Sequence, residues 1–247
     1  MELEEYQSLH QLAASHWWLR GKRAIAASLI DGAVGGARGL SVLDVGCGPG
    51  GNARFLARYG EVVGVDISPL ALDFCRRDGL RRLGRATANS LPFADESFDL
   101  VTCFEVLYHR AVDDDAAFAE LTRVCRKGGH IFIIEPAYHF LFSEHDIVWR
   151  TGRRYTATAL RRLARNNGLR VRCVSYANSI VFPAVLAVRL WQRVFHRRSG
   201  DPRSDLRPVA APLNGLLSRL SCLESWLIPR MGLPFGSSVV LLTEKPE

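Results

Sequence analysis

The sequence predicts an α/β protein built on a doubly wound parallel sheet, and three observations predict it. Short apolar runs alternate with helical patterns of 10–15 residues from about residue 40 to residue 135. The first apolar run ends in a glycine-rich loop, VLDVGCGPGG, at residues 42–51. The second ends in an aspartate followed by Ser68-Pro69, a helix start with proline at the first helical position. Such sheets bind ligands beyond the carboxyl ends of their strands.

The elements follow in order. Residues 3–30 read as one or two helices, ending before the glycine-rich stretch DGAVGGARG. Residues 41–45 form a buried strand, residues 52–59 a helix with Phe55 and Leu56 inward, and residues 61–66 a second strand. A helix over LALDFCRRDG stops at Gly79, and residues 85–88 make a short third strand. Residues 98–104, FDLVTCF, are a fourth strand after the polar turn ADES. The helix AAFAELTRVCRK is opened by Asp113-Asp114-Asp115 and closed by Gly128-Gly129, and residues 130–135 form a fifth strand. Beyond it, residues 156–166 read as a helix, 169–176 as a strand and SSVVLLTEK as the last strand. Residues 177–236 contain six prolines and read as a helical cap, because a structureless loop of that length is improbable in a compact domain. The chain therefore divides into an N-terminal helical flap (1–39), a core (40–176 and 237–247) and a cap (177–236).

Composition narrows the function. The 247 residues are 48% hydrophobic and 23% charged, ordinary for a folded enzyme. The net charge of +7 is carried by arginine-rich residues 148–230, yet no basic run interleaved with aromatics points to nucleic acid. Six cysteines without a C-x-x-C pair predict reduced thiols and no zinc site. The longest uncharged run is 16 residues and contains Pro183, short of a membrane span. The acidic, polar opening argues against a secretory signal, so the expected location is cytoplasmic.

The glycine loop satisfies G-x-G-x-x-G, a dinucleotide pattern, and also D-x-G-x-G-x-G. Asp44 separates the two. A carboxylate at the end of that strand opposes two phosphate charges but favours an ammonium or sulfonium. S-adenosylmethionine carries both cations, and its carboxylate can use the loop amides. Asp66, 22 residues later, accepts from ribose hydroxyls, which NAD and S-adenosylmethionine share.

Four blocks, VLDVGCGPGG, VVGVDISP, SLPFADESFDLVTCFEVLYH and LTRVCRKGGHIFIIEP, resemble in order and spacing the class I S-adenosylmethionine-dependent methyltransferases of bacterial small-molecule type. The resemblance covers residues 40–137 and the last strand. It implies a Rossmann-like, seven-stranded, mostly parallel sheet with the last strand antiparallel. It places Asp44, Gly46, Cys47, Gly48 and Gly50 at the methionine half of the donor and Asp66 at the ribose. Ile67 would pack on the adenine face. The adenine amino group would meet Thr87, Ala88 or Asn89, since the acid usual in the family is absent here. Phe104 would offer its carbonyl to the donor's amino group.

SHWWLRGKR at 15–23, GRRYTATALRRL at 152–163 and LPFGSS at 233–238 resemble a narrower subgroup of bacterial methyltransferases, considered with natural-product or saccharide pathways. Trp17 and Trp18 read equally as sheet-packing rings and as a cover over the donor, and Arg20 and Arg23 as clamps on a carboxylate. Methyl transfer requires alignment and exclusion of water, and a base only for a protonated acceptor. Candidates are His109, then Tyr108 and His139, with His145 and Glu105 also near strand ends. The Asp113–Asp115 run reads as acids opposing a helix dipole rather than as a metal site.

In SIVFPAVLAVRLWQRVFHRR, Arg189, Arg193, Arg197 and Arg198 recur with Leu186, Leu190, Trp191 and Val194. Residues 177–198 thus read as a roof over a substrate pocket, a contact with an anionic membrane surface or a dimer face. The expected activity is methylation of a small molecule at oxygen: a natural product, a saccharide or a lipid-linked, apolar or anionic acceptor. An NAD-dependent oxidoreductase and a non-catalytic cofactor-binding module are the alternatives.

Overall fold

The computed structural model describes residues 3–195 and 204–247. Arg197 and Arg198 of the basic pattern, and the Arg193 side chain, lie outside the described residues. Two N-terminal helices, α1 (Leu3–Leu12) and α2 (Trp17–Val34), precede the sheet. The core then runs β1 (Leu40–Val45), α3 (Gly51–Leu56), β2 (Gly60–Asp66), α4 (Pro69–Arg77), β3 (Leu83–Arg85), β4 (Phe98–Phe104), α5 (Asp114–Val124) and β5 (Cys125–Pro136). A 3₁₀ turn (His139–Leu141), α6 (Glu144–Val148), α7 (Ala157–Asn166) and β6 (Arg170–Ala177) follow. Two further helices, α8 (Phe182–Phe195) and α9 (Ala211–Met231), lead to the final strand β7 (Ser238–Glu244).

The strand order is β3-β2-β1-β4-β5-β7-β6, with β7 antiparallel to both of its neighbours and the other pairs parallel. The strands read as unbroken apolar runs because both faces are covered. Alternate side chains divide between the faces. Leu43, Val45, Val101, Cys103, Ile131 and Ile133 meet Phe118 and Leu121 of α5 and Leu160 and Leu163 of α7. Val42, Leu100, Phe132, Ile134 and Val240 meet Ile25, Ala26, Leu29 and Ile30 of α2. The order reverses between β1 and β4, which opens a crevice at their carboxyl ends.

Local chemistry sets the helix starts. The Asp113 carboxylate accepts from the Ala116 N–H (3.0 Å) and the Thr156 hydroxyl from the Ala159 N–H (3.2 Å), so the acidic run caps α5 as its sequence suggests.

Several boundaries differ from the sequence reading. α5 ends at Val124, before the glycine pair. The Gly128 N–H donates to the Lys245 carbonyl (2.8 Å) and the Lys245 N–H to the Gly129 carbonyl (2.9 Å), so the glycines lengthen the ladder to β7 instead of ending a helix. A Cβ at Gly129 would lie 2.9 Å from the Asp99 oxygen, which is why the bulge there takes glycine. α2 continues through Gly32 to Val34, and Gly35 closes it in the left-handed region at φ 58°. α2 is a core layer helix whose Leu19, Lys22 and Arg23 also reach the crevice, and Tyr6 and Leu9 of α1, with Ala13 just after it, face the cavity there. Among the described residues no helix is long and apolar enough to cross a membrane.

Candidate active site

The glycine loop is stretched tightly over buried carboxylates. Gly46, Gly48 and Gly50 all have positive φ (71°, 52° and 83°), where only glycine is unstrained. A Cβ at Gly46 would also strike Val106. The N–H groups of Gly46 and Cys47 donate to the Val65 carbonyl (2.8 and 3.0 Å), and that of Gly48 to Asp66 Oδ2 (2.9 Å). The Gly50 N–H donates to the Cys47 carbonyl (3.1 Å), so four amides of the loop are engaged within the protein. Gly51 and Asn52, in the first turn of α3 where N–H groups lack intrahelical acceptors, line the cavity over the loop.

Asp44 is fully buried beneath this loop. Its Oδ1 accepts from the Thr102 hydroxyl (2.9 Å), and among the described residues Oδ2 has no partner. Burial pushes its carboxyl up to about 7, only partly offset by the Thr102 bond and reinforced by Asp66. Asp44 does not itself line the cavity over the loop, so its carboxylate would act on a bound group from beneath, favouring a cation over a pyrophosphate. Asp66 binds Gly48 through one oxygen and the Ser68 N–H (2.8 Å) through the other, which fixes its carboxylate at the cavity wall.

A cavity of about 220 Å³ lies over the carboxyl ends of β1, β2 and β4. Of the residues expected at the cofactor, Gly46, Cys47, Gly48, Asp66, Ile67, Thr87, Ala88 and Phe104 line it. Gly50 starts α3 just behind the loop. Asn89 does not line it, because its side chain is engaged with the Ala111 carbonyl (3.3 Å) and the Asp113 N–H (3.0 Å). Arg20 is exposed and lies outside the cavity, while Lys22 and Arg23 line it. Arg23 donates to the Ala13 carbonyl and stands beside Gly51.

A second cavity of about 210 Å³ adjoins the first, and Glu105, Tyr108 and Trp149 line both. Its other walls include His16, Trp17, Trp18, Leu141, His145, Val185, Leu206 and Ser238. The charges around it are paired. Arg154 grips Asp146 through two bonds (2.8 and 2.9 Å), Arg189 holds Asp205, and Lys22 meets Glu105 at 2.5 Å. The Lys22 ammonium also sits 3.7 Å over the Trp18 ring. Burial holds Lys22 below the usual amine range, opposed by Glu105. His16 and His145 are both pushed down by burial, so both are neutral imidazoles at neutral pH.

The turn that carries Glu105 is clamped from below. Glu135, buried at the end of β5, accepts from the N–H groups of Val106 (3.0 Å), Leu107 (2.9 Å) and Tyr108 (3.2 Å). Glu105 itself has φ 57°, a strained conformation for a residue with a side chain.

The sequence candidates for catalysis separate on this map. Tyr108 borders both cavities. His109 lines only the first, with its Nδ1 accepting from the Ala111 N–H (3.2 Å). His139 is exposed in the 3₁₀ turn and lines neither. Trp18 lines the second cavity rather than the first. Lys22 was legible through helix phase, since it shares a face with Leu19, Ile25, Ala26 and Leu29 whereas Arg20 does not.

The doubly wound sheet with an inserted antiparallel seventh strand, and a cavity over β1, β2 and β4, define the class I methyltransferase fold. Residues 43–133 match the methyltransferase domain family. The chain is 35% identical over 134 residues to a ubiquinone biosynthesis O-methyltransferase of Alkalilimnicola ehrlichii, covering 48% of this chain and 54% of that one. It is 39% identical over 106 residues to the methyltransferase GfsG of Streptomyces halstedii, covering 39% and 38%. The chain thus spans about half the length of the curated relatives it matches. Among solved structures it is similar to the YcgJ protein of Bacillus subtilis, with a TM-score of 0.57 at 20% identity over 90% of this chain and 99% of that one. A geranyl diphosphate methyltransferase in complex with SAM gives a TM-score of 0.57 at 18% identity over 90% and 85%. These structures share the fold. Residues 43–133 thus carry the likeness to the methyltransferase domain family on a class I methyltransferase fold, and nothing in these likenesses bears on the narrower subgroup suggested by His16-Trp17-Trp18.

Proposed function

We propose that the protein is an S-adenosylmethionine-dependent methyltransferase acting at a hydroxyl oxygen of a small, uncharged molecule. The observation that carries this reading is the meeting of two cavities at Glu105, Tyr108 and Trp149. The first cavity suits the donor and the second the acceptor. S-adenosylmethionine supplies a methyl group activated by its positive sulfur. The orphaned Asp44 oxygen favours the cationic end, Arg23 and the first turn of α3 suit a carboxylate, and Asp66 suits ribose hydroxyls. His109, on the wall with Thr87, Ala88 and Val112, suits the adenosine half.

Glu105 is the base of this reading, because it is the carboxylate that both cavities share. Lys22 holds it in place, and Glu135 fixes the turn beneath it. Tyr108 is kept protonated by burial, which pushes its phenol far above the usual range, so it orients an acceptor by donating and does not abstract its proton. Among the described residues the ion pairs balance the charges of the second cavity, and its three tryptophans suit a ring. A cavity of about 150 Å³ accepts benzene, so 210 Å³ admits one substituted ring. Relatives named as O-methyltransferases support oxygen as the acceptor atom.

The test is formation of S-adenosylhomocysteine with a panel of neutral hydroxylated ring compounds. Glu105→Gln is expected to lower kcat roughly 100-fold with little change in donor affinity. Unchanged turnover in that variant would remove Glu105 from the mechanism. An NAD-dependent oxidoreductase is disfavoured by the engaged loop amides and by Asp44, which together leave a pyrophosphate few donors and an adjacent carboxylate.

A further inference from the structure

Helix α9 is built inside out. A surface helix ordinarily turns its apolar side inward. Among the residues α9 buries are Ser218, Ser221 and Glu224, with Ile228. Leu213, Leu216, Leu223, Trp226 and Met231 are each at least half exposed. At about 100° per residue, these five fall within one sector of about 140°, opposite the buried four.

The helix cannot simply rotate to bury its leucines, because its polar side is pinned. Glu224 accepts from the Ile180 N–H (2.7 Å). Ser221 packs where Gly21 of α2 leaves room, since a Cβ at Gly21 would lie 2.6 Å from the Ser221 Cβ. Asn214 accepts from the Trp17 N–H (2.9 Å) and donates to the Ser15 carbonyl (2.9 Å). The outward apolar face is therefore a fixed feature of the fold.

Its charge identifies what it fits. Arg219 and Arg230 fall in the same sector, with the Arg230 guanidinium 4.2 Å over the Trp226 ring. The single acid of α9, Glu224, is on the buried side. A second copy of this chain would set positive against positive with no carboxylate between. An anionic bilayer supplies the missing charge and receives apolar side chains without a matched surface. Val188, Leu190 and Val194 of the preceding helix are exposed as well.

We propose that α9 docks the protein on anionic phospholipid bilayers through Leu213, Leu216, Leu223, Trp226 and Met231, with Arg219 and Arg230 at the headgroups. This goes beyond the methyltransferase reading and does not depend on it. On that reading, docking also brings the second cavity to the lipid surface, since α9 is bonded to the residues that begin its wall.

Co-sedimentation of the full chain with vesicles of phosphatidylcholine alone, and with added phosphatidylglycerol, tests the proposal. Binding is expected only to the second kind. The double variant Arg219→Gln, Arg230→Gln is expected to partition roughly 30-fold more weakly, at about 1 kcal/mol for each basic residue near the surface. The double variant Leu216→Ser, Trp226→Ser is also expected to lose partitioning. Calorimetric titration with S-adenosylhomocysteine, unchanged in both variants, would show an intact donor site, and circular dichroism melts would check the fold independently of it. Absence of binding to anionic vesicles, or equal binding by wild type and both variants, would overturn the proposal. So would a wild-type dimer in sedimentation equilibrium that Leu216→Ser dissociates.

Discussion

Asp44 is the residue on which the donor site turns. Burial raises its carboxyl to about 7, well above the usual carboxylate range. A raised carboxyl means that the folded state holds its proton more tightly than the unfolded chain does. Its stabilising contribution is present at acid pH and is lost as pH rises from the unfolded value of 3.8 through about 7. Asp44→Asn is therefore expected to raise Tm relative to wild type more at pH 8 than at pH 5, measured by calorimetry without ligand. An equal shift at both pH values would mean that Asp44 is not the titrating group. Ligand binding has the same logic with the opposite sign. A cation favours the ionised form, so donor affinity is expected to rise with pH up to about 7 and then level.

At the scale of elements, the contact of α2 with α9 is set by one glycine. Gly21→Ala places a methyl 2.6 Å from the Ser221 Cβ. It is expected to destabilise the fold by about 1–3 kcal/mol, the usual cost of overpacking, read as a lower Tm. A neutral result would mean that α9 rides loosely on α2. The elements themselves were largely legible, because strand and helix periods are local signals. The end of α5 was not: Gly128-Gly129 looks like a helix stop, yet its partner is Lys245, more than 100 residues away in the chain. α9 was hidden for a related reason. Its buried serines and Glu224 answer to Gly21 and Ile180, and no periodicity within the helix predicts that inversion.

Across the whole molecule, the donor half of the site was readable and the acceptor half was not. The donor loop and Asp66 lie within 25 residues and carry their geometry in glycine spacing. The second cavity gathers His16, Glu105, His145, Arg189, Leu206 and Ser238 from across the chain. Only the folded sheet brings Glu105 to the boundary of the two cavities, whereas His139, close to a strand end in sequence, is exposed and lines neither. The central claim is that the first cavity binds a sulfonium donor because Asp44 awaits a cation. Isothermal titration of S-adenosylmethionine into wild type and Asp44→Asn at pH 8 tests it most directly. One site per chain in wild type is the predicted result, with affinity roughly 30- to 1000-fold weaker in the variant, as for loss of one partner of a buried charge pair. Equal affinity in the two proteins, or heat with NAD and none with S-adenosylmethionine, would contradict it.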